Sequence, residues 1–212
     1  MTDLTFTCVG SRPDPSATMP TLLLDLHVEE STGTRVHALL LQVQIRIQPA
    51  QRGYAGGDGE RLSDLFGDPS RWGETLKPIQ LASVARAVPG FTGATDVALS
   101  VPCTYDLEIA ASRYLHGLRD GEVPLLLLFS GTVFGMGDRG LQVEQVPWDR
   151  EASYRLPVAV WREMMDLYFP GQAWLRLRIE TVDALARVKS REALLTWEDT
   201  VERLLKQAGE TP

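Results

Sequence analysis

The sequence predicts an α+β fold: an antiparallel β-sheet or β-sandwich body over residues 1–150, then a helical C-terminal region over 151–212 packed on it as one structural domain. Three observations predict it. Long stretches of the first half alternate apolar and polar residues, the period of strands with one wet face. After Pro157 the apolar residues recur at helical spacing instead. Strands come first and helices last, an order that argues against an alternating, doubly wound sheet.

From Thr21 to Val28, Leu22, Leu24, Leu26 and Val28 face one way and Asp25 and His27 the other. After the turn residues 31–35, STGTR, Val36 to Gln48 alternates again, with Leu39, Leu41, Val43, Ile45 and Ile47 inward. These two strands are expected to pair as an antiparallel hairpin. Residues 52–60, RGYAGGDGE, read as a flexible surface loop, and a short helix over Arg61 to Phe66 follows, stopped by Gly67 and Pro69. Lys77 to Val88 and Asp96 to Val101 are expected strands, with Pro89-Gly90 between them.

Tyr105 to Leu118 carries both periods. Leu107, Ala110, Ala111, Tyr114, Leu115 and Leu118 fit a helix, whereas Tyr105, Leu107, Ile109 and Ala111 alternate. The turn Arg119-Asp120-Gly121 tips the reading to a strand paired with the apolar run that follows. Leu125 to Phe134 is a buried central strand, with Gln142 to Val146 as its edge neighbour. Pro157 suits a first helical position, and Val160, Trp161, Met164, Met165 and Tyr168 form an apolar stripe closed by Pro170-Gly171. Trp174 to Lys189 reads as a second helix. Thr196 with Asp199 has capping-box spacing and opens a third through Val201, Leu204 and Leu205, with residues 207–212 fraying.

The 212 residues carry a formal net charge of −7, which argues against a general nucleic-acid binder, since that needs a basic face to displace counterions. No apolar run approaches the ~20 residues of a membrane helix, and the N-terminus has no signal-peptide pattern, so the expectation is a soluble, cytoplasmic protein that does not bind membranes. Cys8 and Cys103 fit no zinc or iron–sulfur spacing and are expected to be reduced, buried thiols.

The stretch from Val123 to Gly137, VPLLLLFSGTVFGMG, tests three catalytic motifs. A P-loop needs a lysine after its last glycine, and none follows Gly137. A dinucleotide fingerprint needs another glycine order, and a nucleophile elbow needs a glycine two residues before Ser130. The reading is a buried strand with a close-packing glycine, then a turn. The loop from Gly53 to Gly59 also lacks lysine, and its Asp58 and the adjacent Glu60 are expected to repel phosphate. Of the three histidines, His27 and His37 lie near the ends of the first hairpin, where they could be cross-strand neighbours but read as surface residues of a wet face, and His116 lies near Asp120 without a nucleophile in the adjacent sequence. No catalytic residue, metal site or cofactor is assigned. The stripe Trp161, Met164, Met165, Tyr168 and Phe169 is the candidate partner-binding surface, because Met adapts to a partner and Trp contributes large contact area; core packing against the sheet is the alternative.

Two segments, PGFTGATDVALSVPCTYDLEIAASRYLHGLRDGEVPLLLLFSGTVF and VPWDREASYRLPVAVWREMMDLYFPGQAWLRL, resemble an uncharacterised actinobacterial family of about 200 residues, over roughly residues 60–206. Genes of that family lie near those of actinobacterial-type high-affinity [NiFe] hydrogenases. The resemblance implies a non-enzymatic accessory or scaffold protein that assists hydrogenase assembly or maturation by binding a hydrogenase subunit or maturation factor. A SecB-like holdase chaperone, or a small-molecule enzyme using carboxylates and His116, are the alternatives. An exposed sheet edge would also allow a homodimer.

Overall fold

A computed structural model describes the chain from Thr2 to Glu210, apart from Gly56, Tyr105, Leu107, Glu108, Asp138, Arg139 and Ala173. Two antiparallel sheets form the body. The smaller has the order β1 (Leu4–Pro13), β2 (Thr21–Glu30), β5 (Ala94–Pro102). The larger has the order β4 (Ile79–Phe91), β3 (Val36–Ile47), β6 (Glu122–Gly137), β7 (Gly140–Gln145). β8 (Glu151–Pro157) pairs with β6 over Glu122–Leu128, on the edge that β7 occupies from Thr132 onward.

Alternation explains why these strands form two layers. Leu22, Leu24, Leu26 and Val28 of β2 are buried, as are Leu39, Leu41, Val43, Ile45 and Ile47 of β3, and all belong to one core. The inner faces meet at Phe6 of β1 and Phe129 of β6, stacked with ring centroids 4.3 Å apart. The body is therefore a β-sandwich, its core filled from both sheets.

The expected hairpin does not form. β2 pairs with β1 and β5, while β3 pairs with β4 and β6. Residues 31–35 are a crossing between layers, not a hairpin turn. Two strands, β1 and β8, were not expected at all. Residues 105–118 resolve against the strand: α4 (Ala110–Gly117) is a helix that buries Ala111, Tyr114 and Leu115, while Tyr105 and Leu107 of the alternating reading lie outside the described residues. The buried-strand reading of the 123–137 stretch holds. A Cβ on Gly131 would collide with the Leu40 carbonyl across the ladder, so that position is confined to glycine by close approach. Asp138 and Arg139 of the following turn lie outside the described residues.

Between β3 and β4, short helical turns α1 (Asp58–Arg61), α2 (Ser63–Phe66) and α3 (Trp72–Thr75) cover part of the core, with Leu62, Phe66 and Trp72 buried. After β8 comes α5 (Val158–Tyr168), where the helical texture begins as expected.

The chain divides into two units, 1–174 and 175–212. The boundary thus falls after β8 and α5, which belong to the sandwich unit, and not at residue 150. The second unit is a pair of helices, α6 (Ile179–Arg191) and α7 (Trp197–Ala208). α6 begins five residues later than the sequence reading because Trp174 to Arg178 is not helical. α7 opens on the expected capping box: Thr196 Oγ1 accepts from the Asp199 N–H, and the Asp199 carboxylate accepts from the Thr196 N–H. It ends at Gly209 in a left-handed conformation, so the tail is ordered two residues further than expected; residues 211 and 212 lie outside the described residues.

Candidate functional site

The stripe named from the sequence belongs to the core. Trp161 is 3 % exposed, Met164 0 % and Met165 2 %. α5 lays these side chains against β1, β2 and β8. The Tyr168 hydroxyl donates to the carbonyls of Asp14 and Ala17, at 2.7 and 2.8 Å, and so ties down the loop between β1 and β2. Phe169 is partly buried and meets Trp174 edge-on, 5.7 Å between centroids. Helical spacing of Met and Trp here reports packing onto the sandwich, not a presented surface.

The histidines do not converge. His27 Nδ1 lies 2.6 Å from Asp96 Oδ1 on the neighbouring strand β5, whereas His37 stands at the start of β3 in the other sheet. His116 lines a small cavity of about 250 Å³ with Trp161, Arg162, Met165 and Asp166, a lining with one carboxylate. Burial, helped by the nearby Arg162 charge, pushes the His116 pKa down and favours neutral imidazole. Among the described residues no group of three or more His, Cys, Asp or Glu side chains is arranged to hold a metal. Cys8 and Cys103 are free and buried, and burial pushes their thiols up to about 11 and about 12. No helix among the described residues is long and apolar enough to cross a membrane.

The glycine loop has more structure than its composition suggests. Arg52 stands at its start and Arg61 at its end, and both reach back to Asp58. Arg61 Nη2 donates to Asp58 Oδ1 at 2.6 Å, and Arg52 Nη2 lies 3.8 Å from Asp58 Oδ2. The Arg52 side chain is only 7 % exposed and that of Asp58 8 %. Arg52 also donates to the Glu122 carbonyl at 2.7 Å and the Asp120 carbonyl at 2.8 Å, and its guanidinium lies 5.8 Å from the Tyr54 ring centroid. Tyr54 in turn shares a 2.8 Å hydrogen bond with Tyr114 of α4, whose buried hydroxyl is driven well above the ordinary tyrosine range. The loop, α4 and the 118–122 turn are thereby locked together around a cleft of about 580 Å³. Asp58 does not project into solvent to repel an anion, because its charge is taken up by two arginines. Gly56 of this loop lies outside the described residues.

The exposed apolar residues lie elsewhere. In the helical unit, Ile179, Leu195, Trp197 and Val201 are exposed, Leu195 at 87 % and Trp197 at 50 %. Trp197 and Val201 are four apart on α7 and share a face, with Leu204 and Leu205 half-buried beside it. A second apolar patch lies on the outer face of the larger sheet. There Phe134 of β6 pairs with Ala38 and Val143, and Met136 pairs with Leu141. Leu40, Met136, Leu141 and Val143 are all exposed. The sequence reading passed over both: the capping box located α7 but not which side chains it leaves uncovered, and the outer-face residues of β6 sit in a run that is apolar on both faces.

The family model described as a family of unknown function, DUF6084, matches residues 1–212, and the chain belongs to that family. No curated protein matches it. Similar solved structures include the CARDB domain of the PF1109 protein from Pyrococcus furiosus, at 10 % identity and TM-score 0.29, covering 74 % of this chain and 92 % of that one. They also include AggA, the major subunit of aggregative adherence fimbriae type I from Escherichia coli, at 14 % identity and TM-score 0.26, covering 74 % and 94 %. A β-glucosidase from Kluyveromyces marxianus is similar at 8 % identity and TM-score 0.27, covering 73 % of this chain and 15 % of that one. Likenesses this distant carry nothing about function.

Proposed function

We propose that this protein is a non-enzymatic accessory or scaffold factor that assists assembly or maturation of a [NiFe] hydrogenase by binding a subunit or maturation factor. One observation carries the binding part of this reading: a helical unit, 175–212, that leaves Ile179, Leu195, Trp197 and Val201 exposed. Exposed large apolar residues gathered in one short helical unit mark interaction surfaces, and Trp is among the side chains enriched at their energetic centre. The hydrogenase part rests on the gene neighbourhood that the resemblance of residues 60–206 implies. In this reading the partner-binding residues are Trp197 and Val201, in place of the buried α5 stripe.

The test is affinity capture from the native host under hydrogenase-inducing growth, with mass spectrometry of the eluate. Hydrogenase subunits or their maturation factors in stoichiometric amount support the reading; their absence overturns it. The apolar patch around Phe134 and Val143 favours a second reading, a holdase that grips unfolded chains at two separate surfaces. Comparable binding to several unrelated unfolded proteins distinguishes that reading from a dedicated partner.

A further inference from the structure

We propose that the cleft between the glycine loop and the 118–122 turn binds a small phosphate-bearing anion. Its lining includes four guanidinium groups, from Arg52, Arg61, Arg119 and Arg155, against three carboxylates, from Asp58, Asp120 and Glu122. That balance is positive on a chain whose formal net charge is −7.

The internal pairing decides which charges are available. Asp58 is consumed by Arg52 and Arg61. Arg119 and Arg155 are exposed, and neither has an ion-pair partner among the described residues, although Asp120 and Glu122 are neighbours in the same cleft. Two unpaired guanidinium groups thus frame one opening. Behind them, Arg52 is more than nine-tenths buried, yet its Nε has no hydrogen-bond acceptor. The planar forks of arginine match the tetrahedral oxygens of phosphate, and hydrogen bonds between ionised partners are the strong class.

The site is also preorganised. Arg52 is fixed by the Asp120 and Glu122 carbonyls, and a Cβ on Gly121 would come within 3.2 Å of its Nη1. Gly121 has φ of +79°, a conformation that favours glycine, so the turn can close on the guanidinium where another residue would press on it. The ligand is bound and not transformed in this proposal, which needs no nucleophile and no metal. It stands independently of the partner-binding reading, because no residue of the helical unit takes part.

The experiment is calorimetric titration of the full chain with inorganic phosphate and with pyrophosphate, at low ionic strength, with a thermal-shift measurement alongside. Pyrophosphate is expected to bind and raise the melting temperature, more strongly than phosphate, and chloride at equal ionic strength is expected not to. The double variant Arg119→Ala, Arg155→Ala should weaken binding by about tenfold or more while melting without ligand as the parent does. Arg35→Ala, at the opposite end of β3, is the control and should bind as the parent does. No binding at millimolar pyrophosphate, or equal weakening by Arg35→Ala, would overturn the proposal. The exposed pair is chosen because removing Arg52 would leave Asp58 buried beside one fewer cation and endanger the fold.

Discussion

Phe6 of β1 and Phe129 of β6 stack across the sandwich with an interplanar angle of 15° and centroids 4.3 Å apart, joining two sheets that share no ladder. The contact links the N-terminal strand to the central strand of the other layer. Phe129→Ala should therefore destabilise the chain by about 3–5 kcal/mol. Denaturant unfolding checks this, and the loss should appear in the midpoint with the slope unchanged.

The burial of the α5 stripe makes a contrasting pair of expectations. Met164 is fully buried against the sandwich, so Met164→Ala should cost about 2–5 kcal/mol and Met164→Lys should prevent folding. On α7, Trp197→Asp with Val201→Glu should leave the circular dichroism spectrum and melting of the sandwich unit unchanged. Those two side chains are about half exposed, so charge there costs far less than in the core.

The two thiols give a pH dependence. Burial raises Cys8 from an ordinary value of 9.0 to about 11 and Cys103 to about 12. Both stay neutral in the fold, whereas the unfolded chain ionises near 9 and so holds fewer protons above that pH. Their contribution to stability is fully present below pH 9 and is lost as pH rises through 9 toward 11–12. Unfolding titrations across this range should show falling stability, with a shallower fall in Cys103→Ala. In the native protein at pH 8 both thiols should resist a thiol-reactive dye that labels them at once after denaturation.

Gly131 is expected to tolerate no side chain. Its Cβ would meet the Leu40 carbonyl, a backbone atom that cannot swing aside. Gly131→Ala should separate β3 from β6 locally, lower the melting temperature, and speed amide exchange at Leu41, whose register partner it is. Gly135→Ala, with nothing near its Cβ, is the matched control on the same strand.

These expectations also show what the sequence could reveal. Alternation assigned β2 and β3 correctly as strands, because period two depends on local sidedness. It could not say that they lie in different layers, since Leu22–Val28 and Val36–Ile47 would look the same in either arrangement. The helix α4 was obscured because Ile109 and Ala111 alternate while Ala111, Tyr114, Leu115 and Leu118 recur at helical spacing. What decided it is tertiary: the Tyr114 hydroxyl reaches Tyr54 across the body. The capping box at Thr196 was legible because all its parts lie within four residues.

The arginine cleft was not legible. Arg52, Asp58 and Arg61 are close in sequence, but Arg119 and Arg155 come from distant segments, and only the fold brings them together. One signal was available: arginines nine apart bracket the glycine loop with an acid between them. The Met- and Trp-rich stripe on α5 was read correctly as apolar and helical, yet that pattern fits a core face as well as a binding face. Exposure separates the two, and it is set by β1, β2 and β8.

The central claim is that the helical unit binds a hydrogenase partner through Trp197 and Val201. Its most direct test is co-purification of the full chain with co-expressed hydrogenase subunits and maturation factors, parent against the Trp197→Asp, Val201→Glu variant. The account predicts a stoichiometric complex with the parent and its loss in a variant that remains folded. A folded variant that retains the complex, or a parent that forms none, would contradict it.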